Sequence, residues 1–169
     1  MKINLKQLKL NQEDAVYLNY EGSIDDRFLT ASGASLKSPA GIELVIKRQN
    51  QVYYGQGTIK TAIEFSCSRC LKLFTEPIFL ELAFIIAEAG NEGGYDEEVI
   101  LLENDEADIT HYIEGVIFAE VPLNPICDPN CKGLCPFCGG DKNIEECNCD
   151  KQEIDPRWEK LKKFNSEGG

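Results

Sequence analysis

The residues best equipped for chemistry in this sequence are its eight cysteines, which come as four close pairs. The spacings are C-x2-C at Cys67 and Cys70, C-x3-C at Cys127 and Cys131, C-x2-C at Cys135 and Cys138, and C-x-C at Cys147 and Cys149. Zinc takes four thiolates in a tetrahedron with Zn–S of about 2.3 Å. Two cysteines separated by two residues can reach one ion from a tight turn. The segment CPFCGG suits such a turn: Pro136 stiffens the loop, and Gly139 can adopt positive φ just after the second ligand. A C-x-C pair follows after the turn-like GGDKN, so Cys135, Cys138, Cys147 and Cys149 form the first expected zinc site. The remaining four, Cys67, Cys70, Cys127 and Cys131, make a second zinc site if their two pairs meet. It would tie the body of the protein to the base of the cysteine-rich tail. Two other arrangements stay open at this point: Cys127 or Cys131 completes the first site instead, or CSRC is an ordinary reduced pair packed in the fold. One zinc is therefore expected and two are possible.

C-x-x-C is also the motif of thiol–disulfide exchange, where it opens a helix after a strand in a βαβ setting. Around Cys67 and Cys70 the flanks IEFS and LKLFTEPIF read as strand on both sides, the wrong context for an exchange enzyme. The single histidine, His111, lies near the start of an expected helix and reads as a surface or partly buried helix residue. No glycine-rich phosphate loop follows a strand, because GQG at Gly55 to Gly57 lacks the required spacing. Hydrolytic and phosphoryl-transfer chemistry, and a small-molecule substrate, therefore find no support, and no catalytic residue is assigned.

The elements that must position these cysteines follow from periodicity. Tyr17–Ile24, Gly41–Gln49 and Thr58–Ser66 alternate apolar and polar residues, the pattern of half-buried antiparallel strands. GASLKSPAG, the Asn50 region and GQG read as turns between them. PIFLELAFIIA continues the alternation, with Ile78, Leu80, Leu82, Phe84 and Ile86 on one face. Phe79, Glu81, Ala83 and Ile85 lie on the other, so this strand is expected to be largely buried on both sides. From Asp108 the period becomes helical, with Ile109, Tyr112, Ile113, Val116 and Ile117 on one face. Asp108 is the expected cap and Pro122 the stop, giving a helix of about 108–120. Gly115 weakens that helix by about 1 kcal/mol relative to Ala and is expected to permit close packing. A last short helix starts at DPRWEKLKKF, with Trp158, Leu161 and Phe164 on one face. The fold class is α+β: a mainly antiparallel sheet or partly open barrel with one packing helix, then a zinc-binding tail and a short C-terminal helix. A β-rich core of residues 1–126 and a tail of residues 127–169, not independent of the core, are the expected units.

At 169 residues, 43% hydrophobic and 27% charged, the chain has the composition of a globular domain. Its N-terminal MKINLKQLKL does not read as a secretory signal, and Ile78–Ala87, broken by Glu81, is too short to span a bilayer. A cytoplasmic location is expected, or an organelle matrix if a transit peptide has been removed, and in a reducing compartment dense cysteines are metal ligands rather than disulfides. The net charge is −12. Acidity peaks in Gly93–Asp108, which has seven carboxylates and no basic residue. This run is either a solvated loop or a face for a basic partner such as a ribosomal protein. A broad phosphate-neutralising face for nucleic acid is not expected, since that requires clustered Lys and Arg.

Taken in order, CSRCLKLFTEPI, the acidic stretch leading into IEGVIFAEVPLNPIC, the segment CDPNCKGLCPFCGGDKNIEECNC and DPRWEKL resemble the YceD family over roughly residues 60–165. Cys67, Arg69, Cys70 and Leu71 match its C-x-R-C-L element. The six tail cysteines match its cysteine-rich branch, with Gly133 and Leu134 in CKGLC and Asp155, Pro156 and Arg157 in the DPR segment. The resemblance implies a role in accumulation of large-subunit ribosomal RNA, and it brings no catalytic residue. The expected function is thus a non-enzymatic factor in large-subunit biogenesis that binds an rRNA precursor, a basic ribosomal protein, or both. Lys132, Lys142, Arg157, Lys160, Lys162 and Lys163 would offer the RNA surface. A thiol–disulfide protein using Cys67 and Cys70, and a zinc-stabilised protein adaptor without RNA contact, are the competing readings.

Overall fold

The structure, a computed structural model, describes residues 1–10, 14–91 and 93–149. The expected C-terminal helix, together with Arg157, Trp158, Lys160, Lys162 and Lys163, lies outside the described residues. The elements in chain order are β1 (Lys2–Asn4), α1 (Lys6–Lys9), β2 (Ala15–Gly22), a 3-10 turn (Arg27–Ser32), β3 (Ser35–Leu36), β4 (Ala40–Gln49), β5 (Val52–Ser66), β6 (Leu73–Ala87), β7 (Glu98–Glu103), β8 (Glu106–Asp108) and α2 (Thr110–Ala119). The strands form one curled sheet, a half-barrel, in the order β1-β8-β7-β6-β5-β4-β2, with β3 paired to β5 beyond the end of β4.

Two long central strands organise the sheet. β5 and β6 pair antiparallel along their whole length, from Val52 opposite Ala87 to Ser66 opposite Leu73. The β4–β5 hairpin closes with Gln49 opposite Val52, and Asn50 takes φ +59°, a conformation that asparagine tolerates better than most residues. The expected turn at Gly55–Gly57 is corrected: these residues run through the middle of β5. A Cβ on Gly55 would lie 2.4 Å from the ring of Phe84, and one on Gly57 would lie 2.0 Å from the carbonyl oxygen of Glu43. Glycine is needed here for close approach inside a sheet, the other meaning of an isolated strand glycine.

The sheet is antiparallel except at one seam. β7 runs parallel to β6, from Phe84 opposite Glu98 to Ala87 opposite Leu101. Residues 88–97 are too long a link for a tight hairpin and carry the chain back to start a parallel strand. The acidic run is therefore only partly a loop, since Ile100 and Leu102 of β7 face the main core while Val99, on the other face, packs in a smaller cluster with Val52 and Ile85. β6 is buried on both faces only at its C-terminal end. There Ile85 and Ala87 join Val52, Tyr54, Tyr95 and Val99 in a small second cluster, whereas Phe79, Glu81 and Ala83 are exposed.

The main core fills the inner face of the curl with Ile42, Leu44, Ile46, Ile59, Ile63, Phe65, Leu82, Phe84 and Ile86, closed by Ile109, Tyr112, Ile113 and Ile117 of the α2 region. Burying these side chains is the dominant stabilisation, at roughly 25 cal/mol per Å² of apolar surface. Asp108 accepts from the backbone N–H of Thr110 at 3.0 Å and from its hydroxyl, so the helix proper starts two residues after the expected cap. Tyr112 carries a second duty. Its hydroxyl accepts from Ala83 N–H and donates to Ala83 C=O, both at 2.9 Å, immediately before the β6–β7 ladder begins. It thereby satisfies backbone groups that the ladder does not reach. Gly115 is exposed with no atom within 4 Å of a built Cβ, so it permits no close packing.

Candidate metal centres

CSRC occupies the tip of the long β5–β6 hairpin, and the helix exit brings the tail to that tip. Ser68 N–H donates to Pro125 C=O at 2.8 Å. The structure gathers the eight cysteines into two tetrads, Cys67, Cys70, Cys127 and Cys131, and Cys135, Cys138, Cys147 and Cys149. Within each tetrad the sulfurs all lie within 4.8 Å of one another. All eight are free thiols. Of the arrangements left open above, the structure places CSRC with Cys127 and Cys131.

The two C-x-x-C turns share one backbone design. In the first, Leu71 N–H donates to Cys67 C=O at 2.9 Å and Cys67 N–H donates to Lys72 C=O at 2.9 Å. In the second, Gly139 N–H donates to Cys135 C=O at 2.9 Å and Cys135 N–H donates to Gly140 C=O at 2.8 Å. The residue after the second cysteine is left-handed in both, with φ +60° at Leu71 and +72° at Gly139. The sequence signal for this turn is plain in CPFCGG and hidden in CSRCL, where a leucine holds the position that glycine favours.

N–H groups converge on the first sulfur of each turn. The Cys67 thiol is lowered to about 6, chiefly by the backbone N–H of Cys127, with Cys70 and Arg69 N–H adding to it against burial. Cys135 is lowered to about 6 by the N–H groups of Cys138 and Phe137. The opposite happens across each tetrad. Burial and then the neighbouring thiols Cys67, Cys70 and Cys131 push Cys127 up to about 12. Cys138 above all, then burial and the thiols Cys135 and Cys147, push Cys149 up to about 12. Four thiolates this close repel one another unless a cation stands between them.

The donor sets fit a metal of the zinc type. Tetrahedral thiolates at about 2.3 Å from an ion stand about 3.8 Å apart. In the first tetrad Cys67 and Cys131 sulfurs are 3.9 Å apart, and Cys70 and Cys127 sulfurs are 3.6 Å apart. All-sulfur donors select soft or borderline metals. The tetrads differ in setting. The first is buried among Phe74, Ile126 and Leu134, with Cys67 0% exposed. The second buries Cys135 but leaves Cys138 exposed, beside Phe137, which is 59% exposed.

Three side groups outside the cysteines hold the centres together. Arg69 donates from its Nη1 to Cys131 C=O at 2.9 Å, and its own carbonyl accepts from Leu134 N–H at 2.9 Å. Gly133, at φ +70°, passes so close that a Cβ would sit 2.9 Å from the Arg69 carbonyl oxygen. Asn143, in the loop of the second tetrad, donates from Nδ2 to the sulfur of Cys131 in the first at 3.5 Å. Arg69 and Gly133 stand in the motifs quoted above, but Asn143 was not singled out; its signal is the Asp-x-Asn turn of Asp141 and Asn143. His111 is on the helix surface, bonded to Glu114 at 3.1 Å and remote from both tetrads in sequence.

The chain matches the family model described as "Large ribosomal RNA subunit accumulation protein YceD" over residues 55–165, a span that includes all eight cysteines. A maize protein named large ribosomal RNA subunit accumulation protein YCED homolog 1, chloroplastic, is 25% identical, the alignment covering 75% of this chain and 54% of that one. Its namesake in Arabidopsis thaliana is 25% identical over 70% of this chain and 46% of its own length. An uncharacterized protein of Mycobacterium tuberculosis is 32% identical over 62% of this chain and 52% of that one. The chain thus spans about half the length of the curated relatives it matches. No solved structure matches. With the match running from near the start of β5 through both tetrads, the chain belongs to the YceD family.

Proposed function

We propose that this chain is a non-enzymatic factor in biogenesis of the large ribosomal subunit, with two structural zinc ions folding the segment after α2. The observation that carries the reading is the family match, which spans the whole of both cysteine tetrads. Four thiolates fill a zinc ion's coordination and leave no position for a water or a substrate, which favours a structural role. No helix of the described residues is long and apolar enough to cross a membrane. Work in the cytoplasm, where ribosomes assemble, is part of the proposal.

Charge bears on the partner. Residues 1–149 carry 12 Lys and Arg against 24 Asp and Glu, and each zinc bound by four thiolates would add a net charge of about −2. Such a surface attracts a basic ribosomal protein and repels a phosphate backbone. Contact with an rRNA precursor would fall to Lys132, Lys142 and the basic residues beyond 149. Depleting the protein is expected to lower large-subunit rRNA relative to small-subunit rRNA, read from total RNA and gradient profiles. Unchanged subunit ratios would rule the function out. A thiol-exchange role needs an accessible nucleophile, and complete burial of Cys67 weighs against it. If that role were real, one metal per chain and a readily oxidised Cys67–Cys70 pair would be found.

A further inference from the structure

The two tetrads are joined by one side chain in a way that a pair of independent metal sites would not need. Asn143 belongs to the loop between Cys138 and Cys147, two ligands of the second, exposed tetrad. Its amide nitrogen has two hydrogens and two acceptors: Asp141 Oδ1 at 2.7 Å within its own loop, and Cys131 Sγ at 3.5 Å in the first, buried tetrad. Its amide oxygen accepts from Lys132 N–H at 2.7 Å, one residue beyond Cys131. The backbone runs the same way, with Lys142 N–H donating to Gly133 C=O at 3.0 Å and a bridge between Leu134 and Asp141. Asn143 and Ile144 also line a cleft of about 680 Å³ whose wall includes Cys70, Cys127 and Cys131. The loop of the exposed tetrad thus forms one side of a cleft that reaches the buried tetrad.

We infer that Asn143 couples the two centres: metal in the exposed tetrad orders the 139–149 loop, and the ordered Asn143 amide then holds metal in the buried tetrad. The inference rests on the reading that both tetrads take zinc. An N–H donated to a coordinating thiolate takes up part of its charge, making that sulfur harder to protonate and displace. Partners of this kind are worth 10–100-fold in metal affinity. The exposed site therefore acts as a latch. While it is filled, the cleft wall is in place and the buried metal is retained; when it empties, the Asn143 donor and the wall are lost together.

The test is metal release from the purified full-length chain to a colorimetric zinc chelator, with total zinc measured beforehand by elemental analysis. The wild type is expected to carry two zinc ions and release them in two phases, the slow one from the buried tetrad. In C147S/C149S one zinc should remain and leave at least about 10-fold faster than the wild-type slow phase. N143A should keep two zinc ions and accelerate the slow phase by about 10–100-fold. The exchanged pair D141N/N143D keeps an amide–carboxylate contact in the loop and an acceptor for Lys132 N–H, but offers Cys131 no donor. It should release zinc at least as fast as N143A, since a carboxylate then faces the Cys131 thiolate. Cobalt substitution gives a second readout, since loss of the donor should shift the thiolate-to-cobalt charge-transfer bands of the buried site. Wild-type release rates in both N143A and C147S/C149S would overturn the coupling. A wild type holding no zinc would instead overturn the metal reading beneath it.

Discussion

At the scale of single residues, the thiols make metal binding a proton-coupled event. Without a cation, Cys67 and Cys135, lowered to about 6, are mostly thiolate at pH 7, while Cys127 and Cys149, raised to about 12, keep their protons. Cys70 is raised as well: the Lys72 N–H, the largest single influence, lowers it, but burial and the Cys67 and Cys131 thiols together outweigh that. Ligands bind as thiolates, so zinc uptake at pH 7 should release protons, Cys70, Cys127 and Cys149 among the thiols that give one up. The sign follows: affinity rises with pH while bound protons remain to be displaced, and acid expels the metal. Calorimetry in buffers of different ionisation enthalpy checks this, and a buffer-independent heat would contradict it. Gly133 gives a second prediction. With φ +70° and the Arg69 carbonyl 2.9 Å from a built Cβ, G133A should cost about 1–3 kcal/mol and speed zinc loss. Denaturant titration of the zinc-loaded protein reads the cost.

At the scale of elements, α2 and the two central strands carry testable features. Gly115 is exposed in mid-helix and its built Cβ meets nothing, so G115A should stabilise the protein by up to about 1 kcal/mol, raising the denaturation midpoint. Tyr112→Phe keeps the ring against Phe84, 4.9 Å between centroids, but leaves Ala83 N–H and C=O without their partner. A loss of about 0.5–1.5 kcal/mol is expected, and no change would show that water replaces the hydroxyl without cost. The elements also show what the sequence could convey. Alternation along Gly41–Gln49 and Thr58–Ser66 located β4 and most of β5 because one face is buried and the other wet, and helical spacing located α2 for the same reason. Gly55 and Gly57 misled because glycine marks both turns and close approaches, and the difference lies in Phe84 and Glu43, distant in sequence. β7 hid inside an acidic run because Val99, Ile100 and Leu102 find their partners only once residues 88–97 bring them beside β6. The pairs within the tail are local and readable, whereas the meeting of CSRC with Cys127 and Cys131 depends on a hairpin of two 15-residue strands that no local pattern measures.

At the scale of the whole molecule, a half-barrel carries the long β5–β6 hairpin, and the cysteine-rich segment is fastened at its tip. Arg69, Gly133 and Asn143 fasten it there, and the chain carries a net charge of −12. Association with a basic partner through that charge weakens with salt, since exposed charges are screened beyond about 8–10 Å at physiological ionic strength. The central claim, a zinc-folded factor of the large ribosomal subunit, is tested most directly by affinity capture of the full-length protein under ribosome-preserving conditions, with bound protein and RNA both identified. The account predicts enrichment of large-subunit proteins or precursor rRNA over their small-subunit counterparts, lost when Cys67 and Cys70 are replaced by serine. Capture with no ribosomal component, or with both subunits enriched equally, would contradict it.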